Sequence, residues 1–413
     1  MRIGEFAKKY GVSIDSLYFY MKRGLLVPPQ RGKQHYFNES CEKDIKTILE
    51  FKDWGFSLNE IHSILTLYRL SNMQLSEDML EIINIMQNKY DQLQAEKERI
   101  SENQRRIKEE QEKIIRAIPS VTESTSGLPV SMLQLLICPN CGSQLQLSKA
   151  EMNPRYISNA EVGCSCGYTA TVKNGIFITP NRNTSQHDRP DLNRAIYKDM
   201  PFDMISHYQR AYNYMGNLLD AQGLDNKIIL ETHLNAYFFL QFYIERAASS
   251  NVKIILVDKF PEMLEMYKNM LDQLNTGLDI LYIADSSYQW PLIPHCADIF
   301  IDFFGSNEHQ FFSHSQLIGE INAFLKNNAR IIGTYFYLNN GRKTLKQLRD
   351  DYPEASPNNF DLRAYIKALE EHGFHKQQEA EIGAISSTGD NYWAFGFHQS
   401  GEDLSMLSFL ADR

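Results

Sequence analysis

The sequence predicts a multidomain chain, α-helical toward its start and α/β over its last half, on three observations. Short helical patterns broken by Gly and Pro give way near residue 76 to one long polar stretch with a seven-residue apolar repeat. Four of the six cysteines fall in two close pairs, Cys138/Cys141 and Cys164/Cys166. From about residue 190, β-rich runs alternate with helical patterns, as in a parallel sheet. The expected organisation is a helical head over 1–72, a long helix over 76–118, a linker over 119–133, a small cysteine-bearing domain over 134–180 and an α/β domain over 190–413.

At 413 residues the chain is too long for one hydrophobic core, and two or three domains are expected. No apolar run approaches the ~20 residues that span a bilayer, and no signal-peptide pattern opens the chain, so a cytoplasmic protein without membrane contact is expected. The net charge of −9 argues against a surface that binds nucleic acid everywhere. Residues 1–70 run against that trend, with eleven basic and eight acidic side chains. The head is therefore the place to look for DNA contact.

Within the head, Ile3–Tyr10 is a short amphipathic helical pattern and Gly11-Val-Ser13 turns the chain. Ser13 is placed to cap the next helix, Ile14 to Arg23, which Gly24 ends. Residues 25–37 then carry basic and aromatic groups, Arg31, Lys33, His35 and Tyr36, on a β-wing. A small residue at the turn and a polar, basic second helix are what a helix-turn-helix needs to enter the major groove. Arg2, Ser13, Ser16, Tyr18, Tyr20, Lys22 and Arg23 are the head's other candidate DNA contacts.

These residues reach a family. Ile3-Gly-Glu-Phe-Ala, Gly11-Val-Ser, Leu17-Tyr-Phe-Tyr, Gly24-Leu-Leu-Val-Pro and Trp54-Gly-Phe-Ser-Leu-Asn-Glu-Ile resemble, in order and spacing, the MerR winged helix-turn-helix domain. That family usually has Arg where this chain has Tyr18 and His35, so Lys22, Arg23, Arg31 and Lys33 are expected to anchor phosphates instead. The resemblance implies operator DNA and RNA polymerase as partners.

In the long helix, Met79, Met86, Leu93, Ile100, Ile107 and Ile114 recur every seven residues. Ile83 and Tyr90 fill the alternate seam early; Lys97, Gln104 and Gln111 make it polar later. An apolar stripe of that width calls for a partner helix. The MerR resemblance implies an antiparallel twin, hence a twofold homodimer on a pseudo-palindromic operator.

Cys138-Pro-Asn-Cys141 and Cys164-Ser-Cys166 lie 22 residues apart. Four thiolates so placed suit a closed, structural Zn²⁺ site. The stretch from Ile137 to Phe177 resembles the small zinc-ribbon-like domain that precedes some methyltransferase domains.

The α/β half reads as strands at 227–231, 253–258, 281–285, 297–304 and 329–337, with a late pair near Ala380–Ile385 and Tyr392–His398. Such sheets bind ligands beyond the carboxyl ends of their strands, and an acid ending the second strand often holds a ribose diol. Val257-Asp258-Lys-Phe-Pro-Glu-Met-Leu, Ala284-Asp285-Ser-Ser-Tyr-Gln-Trp-Pro-Leu and Ala329-Arg-Ile-Ile-Gly resemble the Rossmann-like class I S-adenosylmethionine methyltransferase fold. The resemblance implies a site drawn from Glu231, His233, Asp258, Lys259, Asp285, Ser286, Trp290 and Phe303. The family's glycine-rich first loop is replaced by Glu231-Thr-His-Leu-Asn-Ala-Tyr-Phe, which has no glycine. No catalytic residue is assigned. Aromatic residues near the strand ends offer surfaces for a flat or cationic ligand. Glu308, His309 and His314 form a looser set, read as solvated loop side chains.

The expectation is a dimeric DNA-binding regulator controlled by a small molecule held in the methyltransferase-like domain, S-adenosylmethionine or another. The alternative is an active S-adenosylmethionine-dependent methyltransferase with a DNA-binding targeting domain.

Overall fold

The computed structural model describes residues 1–32, 34–70, 75–117, 126–185, 187–194, 197, 198, 200–235, 237–387 and 395–413. Contacts divide the chain into two units, Met1–Ser120 and Val121–Arg413.

The first unit holds α1 (Ile3–Tyr10), α2 (Ile14–Lys22), the hairpin β1 (Gln30–Arg31) and β2 (Gln34–His35), α3 (Glu39–Asp53), α4 (Leu58–Leu70) and α5 (Ser76–Ala117). Each boundary has a local cause. Gly11 closes α1 in the left-handed conformation at φ 66°. The Ser13 hydroxyl accepts from the Ser16 N–H at 3.0 Å and starts α2. Asn38 caps α3 through the Cys41 N–H. Ser57 and Glu60 form a reciprocal capping box that opens α4. Phe6, Leu17, Leu25, Phe37, Ile45, Ile48, Ile61 and Ile64 make the core, and Ile82 on the first turns of α5 docks into it. Arg69 fastens the chain after α2 to α4, donating to the carbonyls of Gly24 and Leu25 and pairing with Asp44 at 2.7 Å.

The second unit begins with β3 (Leu128–Pro129), a 3₁₀ turn (Val130–Leu135), β4 (Gln146–Met152), β5 (Tyr156–Gly163), β6 (Thr169–Lys173) and β7 (Ile176–Ile178). It continues through α6 (Phe202–Asp220), β8 (Ile228–Thr232), α7 (Leu240–Ala247), β9 (Lys253–Asp258), α8 (Pro261–Asp272) and β10 (Asp279–Ala284). Then come β11 (Ala297–Phe303), α9 (Gly305–Phe312), α10 (Leu317–Ile321), β12 (Leu325–Leu338), α11 (Arg342–Asp351), α12 (Leu362–Glu371), β13 (His375–Ile385) and β14 (Leu404–Asp412).

Among the described residues, twelve strands join in one sheet of order β13-β14-β12-β11-β8-β9-β10-β7-β6-β5-β3, with β4 also on β5. The run from β12 to β7 is parallel; β14 is antiparallel to both β12 and β13. Counted from β8, the α/β strands lie 3-2-1-4-5-7-6, a doubly wound order whose switch point falls between β8 and β11. Side chains alternate across the sheet. Ile229, Ile254, Leu256, Ile299 and Ile301 face one core, while Leu230, Ile255, Val257, Leu281 and Phe300 face the other.

Two expectations are corrected here. The last strand is not at Tyr392–His398. Residues 388–394 lie outside the described residues, Phe395–Phe397 form a turn, and the strand is Leu404–Asp412, apolar on both faces because the sheet is covered on both sides. The cysteine-bearing hairpins do not stand apart. β7 pairs in parallel with β10, so their sheet continues the central one. Among the described residues, no helix is long and apolar enough to cross a membrane.

Candidate functional site

On the head, Tyr18 and Lys22 are exposed on α2, Tyr18 at 52%, Arg23 is exposed just after it, and Ser16 is half-buried in its first turn. The Arg23 guanidinium lies 5.3 Å from the Phe19 ring centre, which steadies it without taking its charge. Arg2 is exposed beside the start of α1. His35 and Tyr36 are half-buried at the end of the wing, and Arg31 belongs to β1. Lys33 lies outside the described residues. Tyr20 departs from expectation. It is 3% exposed, part of the core, and its hydroxyl accepts from Lys52. Leu17 and Tyr20, three apart, share the inward face of α2, a spacing that already pointed to burial.

Along α5 the seven-residue stripe is bare from Leu93 onward, while Met86 packs half-buried against the head core. Leu93 and Ile100 are each 47% exposed, and Ile107 and Ile114 about 60%. The other faces carry pairs three or four residues apart, such as Arg105 with Glu102 and Glu109.

The four paired cysteines converge. Cys138 and Cys166 sulfurs are 3.4 Å apart, Cys141 and Cys164 sulfurs 3.5 Å, and all four lie within 4.8 Å of one another. Gly142 and Gly167, at φ 74° and 94°, turn the backbone after each pair so that both sulfurs face inward. A tetrahedral zinc with ~2.3 Å Zn–S bonds needs sulfurs roughly 3.8 Å apart, so this donor set fits the ion.

Two cavities lie over the carboxyl ends of the α/β strands. The first, of about 410 Å³, is lined by His233, Asp258, Lys259, Asp285, Ser286, Tyr288, Trp290 and His309 among others. Its two strand-end acids, Asp258 and Asp285, are engaged. Asp258 accepts the N–H groups of Asn235 at 3.0 Å and Phe260 at 2.9 Å. Asp285 accepts from Thr179, Asn181 and both the N–H and hydroxyl of Ser287, which fills all its lone-pair directions. Burial holds the Asp258 carboxyl up at about 6. His233 occupies the glycine-free loop at φ 62° and hydrogen-bonds Tyr288, whose hydroxyl also meets Nδ1 of His309 at 2.6 Å. Burial pushes both histidines down, His309 to about 4, so both rings are neutral. The second cavity, about 350 Å³, adjoins the first through Asp188 and Phe312 and is largely aromatic.

Glu231 and Phe303 are not on the first cavity. Glu231 is 1% exposed and receives the N–H groups of Phe239 and Leu240, tying the loop to the start of α7; burial lifts it to about 8. Phe303 is packed among Tyr212, Tyr237 and Phe304. With Asp285 saturated, Asp258 half-committed and a histidine in the first loop, these residues do not fit S-adenosylmethionine held as the resemblance implies.

Residues 1–67 match the family described as MerR HTH family regulatory protein. The head thus matches the helix-turn-helix domain of that family. The chain is 33% identical over 79 residues to the HTH-type transcriptional regulator ZntR homolog of Haemophilus influenzae, covering 19% of this chain and 58% of that protein. It is 33% identical over 69 residues to the mercuric resistance operon regulatory protein of Pseudomonas fluorescens, covering 16% and 48%. The chain thus spans about half the length of these relatives. A solved structure of an S-adenosylmethionine-dependent methyltransferase from Thiobacillus denitrificans, in complex with S-adenosyl-L-homocysteine, aligns with 55% of this chain and all of its own at 10% identity and a TM-score of 0.39.

Beyond the MerR domain, the structure brings together six of the eight residues expected at the ligand site. Missed were Asp188, and the partnership of Tyr288 with His309. His309 is no solvated loop residue: it is 4% exposed on α9, with Tyr288 on one nitrogen and Ser315 on the other. It does not gather with Glu308 and His314 at metal-ligand spacing; among the described residues only the four cysteines form such a cluster. The Tyr-Gln-Trp run after Asp285 marked the loop, but its pairing with α9 is long-range and leaves no local pattern.

Proposed function

We propose that this chain is a cytoplasmic transcription regulator of the MerR type that binds operator DNA as a homodimer, with its C-terminal α/β domain as a small-molecule sensor. The carrying observation is the head: a capped second helix with Tyr18, Lys22 and Arg23 outward, its core shared with the first turns of a 42-residue helix whose apolar stripe is bare from Leu93 onward. Phosphate anchoring from the basic residues sets register, and groove contacts from α2 read sequence. The bare stripe supports pairing of two copies through α5, and a twofold dimer matches two half-sites. RNA polymerase is the further partner, engaged at the promoter the dimer deforms. Zn²⁺ held by Cys138, Cys141, Cys164 and Cys166 serves as a structural clamp on the hairpins that extend the sheet.

Control by a ligand requires that it bind the DNA-bound states unequally. The two cavities over the strand ends supply room for it. The doubly wound order keeps a second reading in play, an S-adenosylmethionine-dependent methyltransferase targeted by its DNA-binding head. Calorimetry separates the two, because the enzyme requires S-adenosylmethionine to bind the cavity whose strand-end acids, Asp258 and Asp285, are already engaged. The regulator reading is tested by a gel shift of the purified protein against its own upstream DNA at physiological salt. A shift at concentrations where random DNA stays free supports it; equal binding to both defeats it.

A further inference from the structure

The second cavity is built differently from the first. Tyr237, Phe304, Phe311, Phe336, Tyr352 and Phe360 line it, and its volume of about 350 Å³ lies in the range of small-molecule sites. At the wall shared with the first cavity stand two carboxylates and one ammonium. Lys259 pairs with Asp188 and lies 3.9 Å from Glu308. The three side chains are 3%, 15% and 13% exposed for Asp188, Glu308 and Lys259. One ammonium thus serves two largely buried acids, and when both are ionised a net negative charge faces an aromatic cavity. Further out at the mouth, Arg189 and His187 are exposed and Asp191 is half-buried.

Asp188 carries the second sign of a missing partner. Its Oδ2 is on Lys259, but its buried Oδ1 has no hydrogen-bond partner among the described residues. A buried acceptor left unmet costs free energy that a ligand can recover. The protein already shows the chemistry it favours here. The Lys259 ammonium lies 4.7 Å from the centre of the Phe312 ring, a cation over an aromatic face at the wall of both cavities.

We propose that the aromatic cavity beside Asp188 and Glu308 binds an organic cation, an amine or quaternary ammonium with an apolar or aromatic body. Ring faces take the body and polarise toward the charge, while the two acids supply the counter-charge that Lys259 only half provides. This deepens the sensor reading by naming its ligand class, and it rests on that reading only for its biological purpose. Burial pushes the Glu308 carboxyl up to about 7, and Asp188 also upward, so a bound cation that holds them ionised releases protons.

The test is isothermal titration calorimetry of the full-length protein without DNA, comparing phenyltrimethylammonium with tert-butylbenzene, its neutral isostere. The expected result is saturable binding of the cation, with the isostere at least roughly tenfold weaker, as loss of one charged partner from a partly buried pair gives. Asp188→Asn and Glu308→Gln, each checked for an unchanged thermal melt, weaken the cation roughly tenfold and leave the isostere unchanged. Equal binding of the two probes, no binding of either, or full cation affinity in both variants overturns the proposal. If the variants misfold, the two-probe comparison on the natural sequence still decides. A protein that takes the cation but not operator DNA defeats the regulator reading alone; the reverse result defeats the cation site alone.

Discussion

Substituting Ile100→Glu tests the pairing of α5 directly. Ile100 is 47% exposed in the single chain, one of the bare positions in the seven-residue stripe. Full burial of an Ile side chain is worth ~1.5–3 kcal/mol, so covering the exposed half contributes about 1 kcal/mol per copy and about 2 kcal/mol per twofold dimer. A carboxylate in the same place loses that term and must also be dehydrated or left out of the seam, which brings the deficit to at least about 3 kcal/mol. That corresponds to a dimer dissociation constant weakened by more than roughly a hundredfold. Glu109→Gln, on a charged face of the same helix, serves as control and should leave dimerisation unchanged, since exposed pairs contribute only ~0–1 kcal/mol. Sedimentation equilibrium reads both constants. Dimerisation of Ile100→Glu as tight as that of the natural chain, or a natural chain monomeric at micromolar concentration, rules out pairing through α5.

Arg23→Ala should weaken operator and random DNA alike and reduce the slope of log affinity against log salt by about 1, measured by fluorescence anisotropy across a salt series. Cys166→Ser should abolish stoichiometric zinc by elemental analysis, and chelation of the natural protein should lower the melting temperature of the second unit; unchanged melting would show that the thiols need no metal. Burial lowers His309 to about 4 from ~6.5 when unfolded, so below pH 6.5 the unfolded chain takes up a proton that the folded chain refuses. Stability is thus lost as pH falls from 6.5 toward 4, by about 3 kcal/mol from this group at the lower end. The raised carboxyls of Glu231 and Asp258 work the other way, so the comparison of His309→Gln with the natural chain isolates the histidine. The variant should show the shallower acid loss in urea melts at several pH values.

Features encoded in contiguous residues were legible. The long helix is expected over 76–118 and spans Ser76–Ala117, because the heptad stripe is a local signal. Ser13 was expected as a cap and is one. The two cysteine pairs announced a shared site through spacing alone. What escaped depends on distant partners. Leu404–Asp412 forms the last strand because β12 and β13 flank it on both sides, whereas the aromatic run at 392–398 matched strand preference more closely and does not contain it. Asp188 looks like an ordinary loop acid until the fold sets it against Lys259, seventy-one positions away. The three residues of β7 are too few to read as a strand, yet they join the cysteine hairpins to the central sheet.

The central claim is that two copies, joined along α5, place their basic heads on the same face of one duplex. Hydroxyl-radical footprinting of the protein on its upstream DNA measures this most directly. A dimer so placed protects two half-sites with centres one helical turn, ~10 base pairs, or a whole multiple of it apart. A single unpaired footprint, or half-sites on opposite faces of the duplex, would contradict it.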